Sequence, residues 1–493
     1  MSMVEAQTSS PPPRAIPSQP LYEARKKIFP QSVDGTFRRI KWGLLVVTLG
    51  IYYCLPFLRW ARGPNEPTQA VLVDLDRHRF YFFLIEIWPQ EVYYITGLLI
   101  LAAFALFLTN ALAGRVWCGY LCPQTVWTDL FLLVERWTEG DRRERMRKEA
   151  GPWTLERVTE KVLKHFCWIM IAWWTGGAWV LYFADAPTLV RQLVTFSASP
   201  MVYGWIAMLT GTTYLLAGFM REQVCLYMCP WPRIQAALTD ENALNVTYRT
   251  DLGEPRMSVK KAATARARHD PAGDCVDCNQ CVVVCPTGID IREGLQMGCI
   301  QCGLCIDACA NVMTKLDRDT RLIGYDTDIN IRRRVEGKPE VFRPVRPRTV
   351  LYMALIVVTG GIMLYSLATR GDSGLSAIHD RNPLYVTLSD GSIRNAFTLR
   401  FVNKLSETRA FMLAIDGLPD ARLDIVGVPA DAQGRQVVSV SPDGTLEVRA
   451  TVTRPAADPG GESTPIVLTA TDAYGNKASA RDFFRSPAEA GAR

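Results

Sequence analysis

Five long apolar runs interrupt an otherwise polar chain: Trp42–Leu58, Tyr93–Ala113, Phe166–Ala184, Met201–Phe219 and Thr349–Ala368. Each is 17 to 21 residues long, about what a helix needs to cross a hydrocarbon core, and several are flanked by Trp or Tyr. One such run fits a buried helix; five predict an α-helical integral membrane protein. The first run starts some forty residues in, carries Tyr52, Tyr53 and Trp60 at its outer end, and is followed by no small-residue cleavage site. It is therefore expected to be a retained span rather than a signal peptide. Beyond the fifth run the period changes to two. LYVTLSDGSIRNAFTLRFVNK, QVVSVSPDGTLEVRATVTR and TPIVLTATDAYGNKASARDFF alternate apolar and polar residues around Asp-Gly and Tyr-Gly turns. That pattern predicts an all-β, immunoglobulin-like sandwich.

These textures divide the chain into a tail (1–41), a block of four spans (42–219), a polar connector with a cysteine-rich core (220–348, core 270–315), the fifth span (349–368) and the sandwich (369–493). Met1–Pro20, rich in Ser, Pro and Gln, is expected to be disordered. WPRIQAALTDENALNVTYRTDLGEPR is expected to begin as a helix and continue as an extended basic connector along the membrane surface. Thr125–Trp137 is amphipathic, interfacial or re-entrant.

Charge sets the orientation. Gly114–His165 contains RRERMRK, Arg221–Arg348 is strongly basic, and the tail carries Lys26, Lys27, Arg38, Arg39 and Lys41, whereas Pro187–Pro200 has only Arg191. The positive-inside rule places the basic segments in the cytoplasm of a bacterial inner membrane. Five spans then leave the sandwich in the periplasm, together with Arg59–Gln90, whose four arginines fit that side less well. The net charge of +6 follows from this topology and predicts no nucleic-acid partner.

Eight of the fourteen cysteines form two copies of C-x2-C-x2-C-x3-C: Cys275, Cys278, Cys281, Cys285 and Cys299, Cys302, Cys305, Cys309. Three closely spaced thiolates wrap one face of an iron–sulfur cube and the fourth reaches the other cube. The expected ligand sets are therefore Cys275, Cys278, Cys281 and Cys309 for one 4Fe–4S cluster, and Cys299, Cys302, Cys305 and Cys285 for the second. A disulfide framework does not suit the cytoplasm, and zinc sites usually show paired C-x2-C spacing. Val276, Val282–Val284, Ile300 and Ile306 are expected to form a small core. The segment resembles the two-cluster bacterial ferredoxins, down to Pro286; Ala310 stands where the second repeat would have its proline.

A quieter repeat lies at the ends of two spans. RVWCGYLCP (Arg115–Pro123) and REQVCLYMCP (Arg221–Pro230) both contain C-x3-C-P, preceded by an arginine. On a helix Cys118 and Cys122, and Cys225 and Cys229, share a face, with Pro123 and Pro230 expected to break or bend the helix after each pair. Four thiols make a soft redox or metal site, suited to Cu(I), zinc or iron–sulfur iron. Cys54 and Cys167 stand alone and are expected to pack. Met228 is expected to fill space rather than to bind metal. Only His78, His165, His269 and His379 exist, none paired within a span, so a bis-histidine haem is not expected. His165 is expected at the membrane interface.

Together, the spans, WCGYLCPQTVW, CLYMCPWPRIQ, CPTGIDIREGLQMGCIQCGLCIDAC and the sandwich resemble the CcoG/FixG/RdxA family, accessory factors for the cbb-type cytochrome c oxidase. The resemblance implies a cupric reductase that supplies Cu(I) for oxidase assembly. Copper would be substrate or transient ligand, and Cys118, Cys122, Cys225 and Cys229 a copper-handling or relay site. The expected partners are the membrane, copper ions, copper chaperones or the oxidase assembly machinery, and a cytoplasmic electron donor. A quinol-linked component of a nitrate or nitrous oxide reductase system shares the cysteine motifs, and a non-catalytic assembly scaffold is a third reading.

Overall fold

The computed structural model describes residues 27–63, 66–405, 407–430, 435–455 and 461–487; the expected disordered segment Met1–Pro20 lies outside them. The chain forms two compact units. One comprises Met1–Leu49, Leu106–Gly176 and Ala207–Thr349, the other Gly50–Ala105, Gly177–Ile206 and Val350–Arg493.

Among the described residues four helices are long and apolar enough to cross a membrane: Thr36–Phe57, Pro89–Ala113, Pro200–Met220 and Pro347–Ala368. The remaining expected span, Phe166–Ala184, falls within the 26-residue helix Leu155–Val180 and the turn after it. That helix has the length, but its first turns carry Glu156, Arg157, Glu160, Lys161 and Lys164, and its apolar part is rich in Trp, whose indole N–H makes it less apolar than Leu or Ile. The span Pro200–Met220 ends in π-helical turns from Tyr214 to Met220, a local widening that often marks functional sites.

In the first unit, the segment after the fourth of the expected spans departs from the surface connector that its sequence suggests. Trp231–Leu238 is helical, but Asn245–Tyr248 is a strand, paired antiparallel with Ile323–Asp326. The two strands bracket the cysteine-rich segment. Val246, Tyr248, Leu322 and Ile323 join Cys275, Cys281, Cys299, Cys309, Val276 and Ile291 in one buried cluster. Pro123–Glu139 is a single helix that buries Val126, Asp129, Phe131, Leu132 and Glu135. Its Asp129 takes ion pairs from Arg38 (3.1 Å) and Lys41 (3.0 Å) of the first span, all three side chains almost wholly buried. The two cations hold the Asp129 carboxyl below its ordinary range despite its burial.

The second unit contains the sandwich. One sheet runs Arg422–Ile425, Gly444–Arg454, Ile393–Asn403, Ser373–His379, with Val386–Thr387 also pairing with Ile393–Asn403; the other runs Val437–Val440, Arg409–Asp416, Ser463–Asp472, Lys477–Arg485. All pairings are antiparallel. Inward-facing Phe397, Leu399, Phe401, Phe411, Ile466, Leu468 and Phe484 fill the space between the sheets. The loop Arg59–Gln90 carries an unforeseen three-stranded antiparallel sheet: Val71–Asp74, Arg79–Phe82 and Ile85–Ile87. Its strands are three or four residues long, too short for a period-two signal to stand out. Arg79 ties this sheet to the sandwich, donating to Glu86 (3.0 Å) and to the Asp443 carbonyl (2.7 Å). Crowding with Asp443 and Glu66, added to burial, pushes the Glu86 carboxyl up to about 7.

Candidate metal centres at the membrane edge

Each cysteine repeat of the insert turns its backbone left-handed at the same two places. Asp277 (φ 52°) and Asn279 (φ 57°) flank Cys278; Gln301 (φ 55°) and Gly303 (φ 73°) flank Cys302. Such alternation turns successive N–H groups to one side, a concavity suited to an anionic iron–sulfur core. Asp, Asn and Gly tolerate the left-handed region. Gln301 is held there by its surroundings: its side-chain oxygen accepts from Arg115 N (2.7 Å), its amide donates to Asn245, and its carbonyl accepts from Tyr325 Oη (2.6 Å).

The thiols fall into two neighbourhoods that cross the repeats. Cys309 lies beside Cys281, Cys278 and Cys275, and burial followed by these neighbours pushes its thiol up to about 12. Burial, then Cys302, Cys299 and Cys285, raises Cys305. Cys285, Cys299, Cys302 and Cys305 line one small pocket, with Cys281 also on its wall. Metal binds the thiolate, so it would displace the proton that burial keeps on these thiols. The donor set fits 4Fe–4S cubes.

The membrane-edge motifs are built differently from the sequence expectation. Cys118 sits in a short helix, Val116–Tyr120, while Cys122 has left it: φ −62°, ψ 127°, the residue before helix Pro123–Glu139. Cys225 lies in π-helical turns Val224–Met228, and Cys229 is again extended, φ −80°, ψ 123°, next to Pro230 and helix Trp231–Leu238. The prolines therefore stand at helix starts, and each pair straddles a break instead of sharing one helical face. Proline disfavours helical geometry in the residue before it and is well suited to a first helical turn, where its missing N–H costs nothing.

The two pairs nevertheless converge. Cys118 neighbours Cys122 and Cys229, and Cys225 neighbours Cys122, Cys118 and Cys229. Burial first, then these thiols, pushes Cys118 up to about 11 and Cys225 up to about 12. Cys118 also donates to Gln235 Oε1 at 3.3 Å.

This group abuts the insert directly. A Cβ at Gly119 would come within 2.7 Å of the Ile300 carbonyl and 3.0 Å of Cys302 Cα, so only glycine lets the two backbones meet. Tyr120 Oη donates to the Cys302 carbonyl (3.0 Å), and the Arg115 guanidinium donates to the carbonyls of Met297 (2.6 Å) and Pro232 (3.1 Å). The arginine and tyrosine were visible in the sequence repeat, but their partners were not. Gln301 and Gln235 carried no local signal. The insert is also tied to the first span: Asp307 accepts from the N–H groups of Arg38 (2.8 Å) and Phe37 (3.2 Å), capping that helix. A Cβ at Gly35 would overlap the Asp307 carboxyl at 2.2 Å.

Of the remaining residues, Cys167 packs beside Phe131 and Trp168. Cys54, expected to pack, is exposed on the first span, as is Met228 at its own site. Among the described residues, His165 pairs with a tyrosine and not with a cysteine. Its Nδ1 bonds Tyr214 Oη at 2.9 Å, within a ring of Trp168 and Phe219.

Residues 220–328 match a 4Fe–4S dicluster domain, 95–138 a 4Fe–4S binding domain, and 363–487 the Ig-like fold at the C-terminus of FixG. The nitrogen fixation protein FixG of Rhizobium meliloti is 49% identical over 463 residues, 88% of each chain. Protein RdxA of Cereibacter sphaeroides is 53% identical over 413 residues, 83% of this chain and 86% of that one, and its RdxB is 47% identical over 466, 94% of each. The crossed thiol groups, the apolar helices and these matches lead to one conclusion: the chain belongs to the FixG/RdxA family, as a membrane-associated iron–sulfur electron-transfer protein.

Proposed function

We propose that this protein is a five-span inner-membrane cupric reductase that supplies Cu(I) for assembly of a cbb-type cytochrome c oxidase. The insert faces the cytoplasm and the sandwich the periplasm, as the distribution of basic residues indicates. Cys275, Cys278, Cys281 and Cys309 hold one 4Fe–4S cluster, and Cys299, Cys302, Cys305 and Cys285 the other. Such clusters supply electrons one at a time, which matches the single electron that turns Cu(II) into Cu(I). Electrons enter from a cytoplasmic donor and leave through Cys118, Cys122, Cys225 and Cys229, which either receive copper or relay electrons to it. Copper chaperones or the oxidase assembly machinery take the product.

The observation that carries this reading is the backbone contact of Gly119 with Ile300 and Cys302, which puts a ligand of the second cluster against the membrane-edge thiols. The test is anaerobic mixing of the dithionite-reduced, purified chain with Cu(II) and a Cu(I)-specific chelator. Bleached clusters should regain their colour as one Cu(I) appears per electron. Replacing all four membrane-edge cysteines with serine should leave the insert clusters in place and slow this reaction at least tenfold. Clusters that stay reduced in the presence of Cu(II) would exclude it.

An open pocket lined by Lys164, His165, Trp168, Phe219, Arg221 and Glu222 favours a second reading, entry of electrons from a quinol. It shares Arg221 and Glu222 with a smaller cavity that touches Cys225 and Thr287. Reduction of the clusters by an added quinol would support that route; failure under strictly anaerobic conditions would remove it.

A further inference from the structure

We infer that Cys118, Cys122, Cys225 and Cys229 hold a third iron–sulfur cluster of the 4Fe–4S class, so that the membrane-edge site is a resident electron relay and not the place where copper rests. This deepens the proposed function and rests on it only for the direction of electron flow.

The first observation is spacing. A single ion held by thiolates at about 2.3 Å in a tetrahedron requires sulfurs about 3.8 Å apart. Among the described residues, the one group of three or more His, Cys, Asp or Glu ligand atoms within 4.8 Å of one another is Glu66, Glu86 and Asp443, far along the chain from these cysteines. No three of the four membrane-edge sulfurs lie within 4.8 Å of one another, so they do not close to single-ion spacing. The eight insert cysteines share this property, and they belong to a matched 4Fe–4S dicluster domain. Both sets are spaced more widely than one ion requires, as a larger group would need.

The second observation is the domain match. Residues 95–138 match a 4Fe–4S binding domain, and the cysteines within them are Cys118 and Cys122. Two thiols cannot satisfy a cube, which takes four. The structure supplies the missing two from the other motif, with the same local geometry: Cys122 and Cys229 are both extended, each directly before a proline that opens a helix. The site is therefore completed by two halves related by the sequence repeat.

The third is the chemistry around it. Arg115 lies near both Cys118 and Cys299, a cation shared between the membrane-edge thiols and the second insert cluster. It offsets the net negative charge of a tetrathiolate cube. Cys118 also packs with Ile300, Cys302 and Leu304 in one apolar cluster, which excludes water between the two sites. Cys118, Cys122, Cys225 and Cys229 would hold the group that takes one electron from the insert and passes it to Cu(II), giving Cu(I); no proton or covalent bond to the protein would be exchanged.

The test is iron and acid-labile sulfide analysis of the full-length chain purified anaerobically in detergent, with Mössbauer spectroscopy of iron-enriched protein. Three cubes predict about 12 iron per chain, two predict about 8. The inference expects about 12, falling to about 8 in C118S/C225S while the spin-coupled signal of the two insert clusters persists. About 8 iron in the wild-type chain, or 8 iron plus one copper lost in the variant, would overturn it, as would an unchanged count in the variant. A variant that misfolds is recognised by loss of all its iron, and the wild-type count then decides alone. A count of about 12 without Cu(II) reduction would refute the proposed function and leave the third cluster standing.

Discussion

The insert and the sandwich are both small β- or loop-rich bodies, yet their cores are made of different material. The sandwich encloses Phe397, Leu399, Phe401, Phe411, Ile466, Leu468 and Phe484, with no cysteine. The insert's buried cluster mixes four cysteines, Cys275, Cys281, Cys299 and Cys309, with Val246, Tyr248, Val276, Ile291, Met313, Leu322 and Ile323. A core of aromatic and aliphatic side chains gains its stability from burial alone. A core of thiols gains little until metal is bound, and meanwhile its buried thiols resist ionisation. A domain whose core is wholly apolar thus stands against one whose core also contains thiols, which metal would complete.

The strongest way to break that comparison is to remove iron. Oxidative loss or chelation should abolish protease protection across 270–315 while the sandwich keeps its strand signal and thermal transition. Small metal-dependent domains gain roughly 10–16 kcal/mol from zinc, and the insert should show dependence of that order. Equal loss in both regions, read by hydrogen exchange, would erase the distinction. The converse is Phe397→Ala, which empties a fully buried ring site and should cost about 3–5 kcal/mol in the sandwich transition with no change in iron content.

Smaller substitutions sharpen the comparison at its joints. Asp307→Ala removes the carboxylate that receives Phe37 and Arg38 N–H groups at the start of the first span. It should cost about 1–2 kcal/mol and loosen the insert from that span, seen as faster amide exchange at 35–39 without loss of iron. The mildest effect concerns pH. The Glu86 carboxyl, raised to about 7, binds its proton more tightly in the folded chain than in the unfolded one. The stability tied to the Glu86 proton is then fully present below the ordinary carboxylate value and is lost as pH rises through about 7. Thermal scans across that window should show the sandwich-bearing unit losing stability with rising pH, and Glu86→Gln should flatten the trend. The insert, held by coordination, should show no matching slope in that window.

Legibility followed how local each signal was. The two C-x2-C-x2-C-x3-C repeats announce cubes because ligand spacing is a property of the chain itself. The left-handed turns at Asp277, Asn279, Gln301 and Gly303 obey the same repeat, but Gln301 gave no hint, since its conformation is held by Arg115, Asn245 and Tyr325 from elsewhere. The strands Asn245–Tyr248 and Ile323–Asp326 escaped notice because four residues are too few to show a period and their pairing partner is some eighty residues away. The helix Leu155–Val180 carries a mixed signal: its apolar part is as long as a span, but its charged first turns and tryptophans keep it outside the four most apolar helices among the described residues.

The sequence by itself determined which residues carry the chemistry, because thiol spacing, apolar run length and strand alternation are all written in neighbouring positions. Only the tertiary structure decided that two distant C-x3-C-P motifs meet, that their prolines open helices rather than close them, and that Gly119 lies against Cys302. Those facts depend on backbones approaching within van der Waals distance across more than a hundred residues, and no local pattern encodes such an approach.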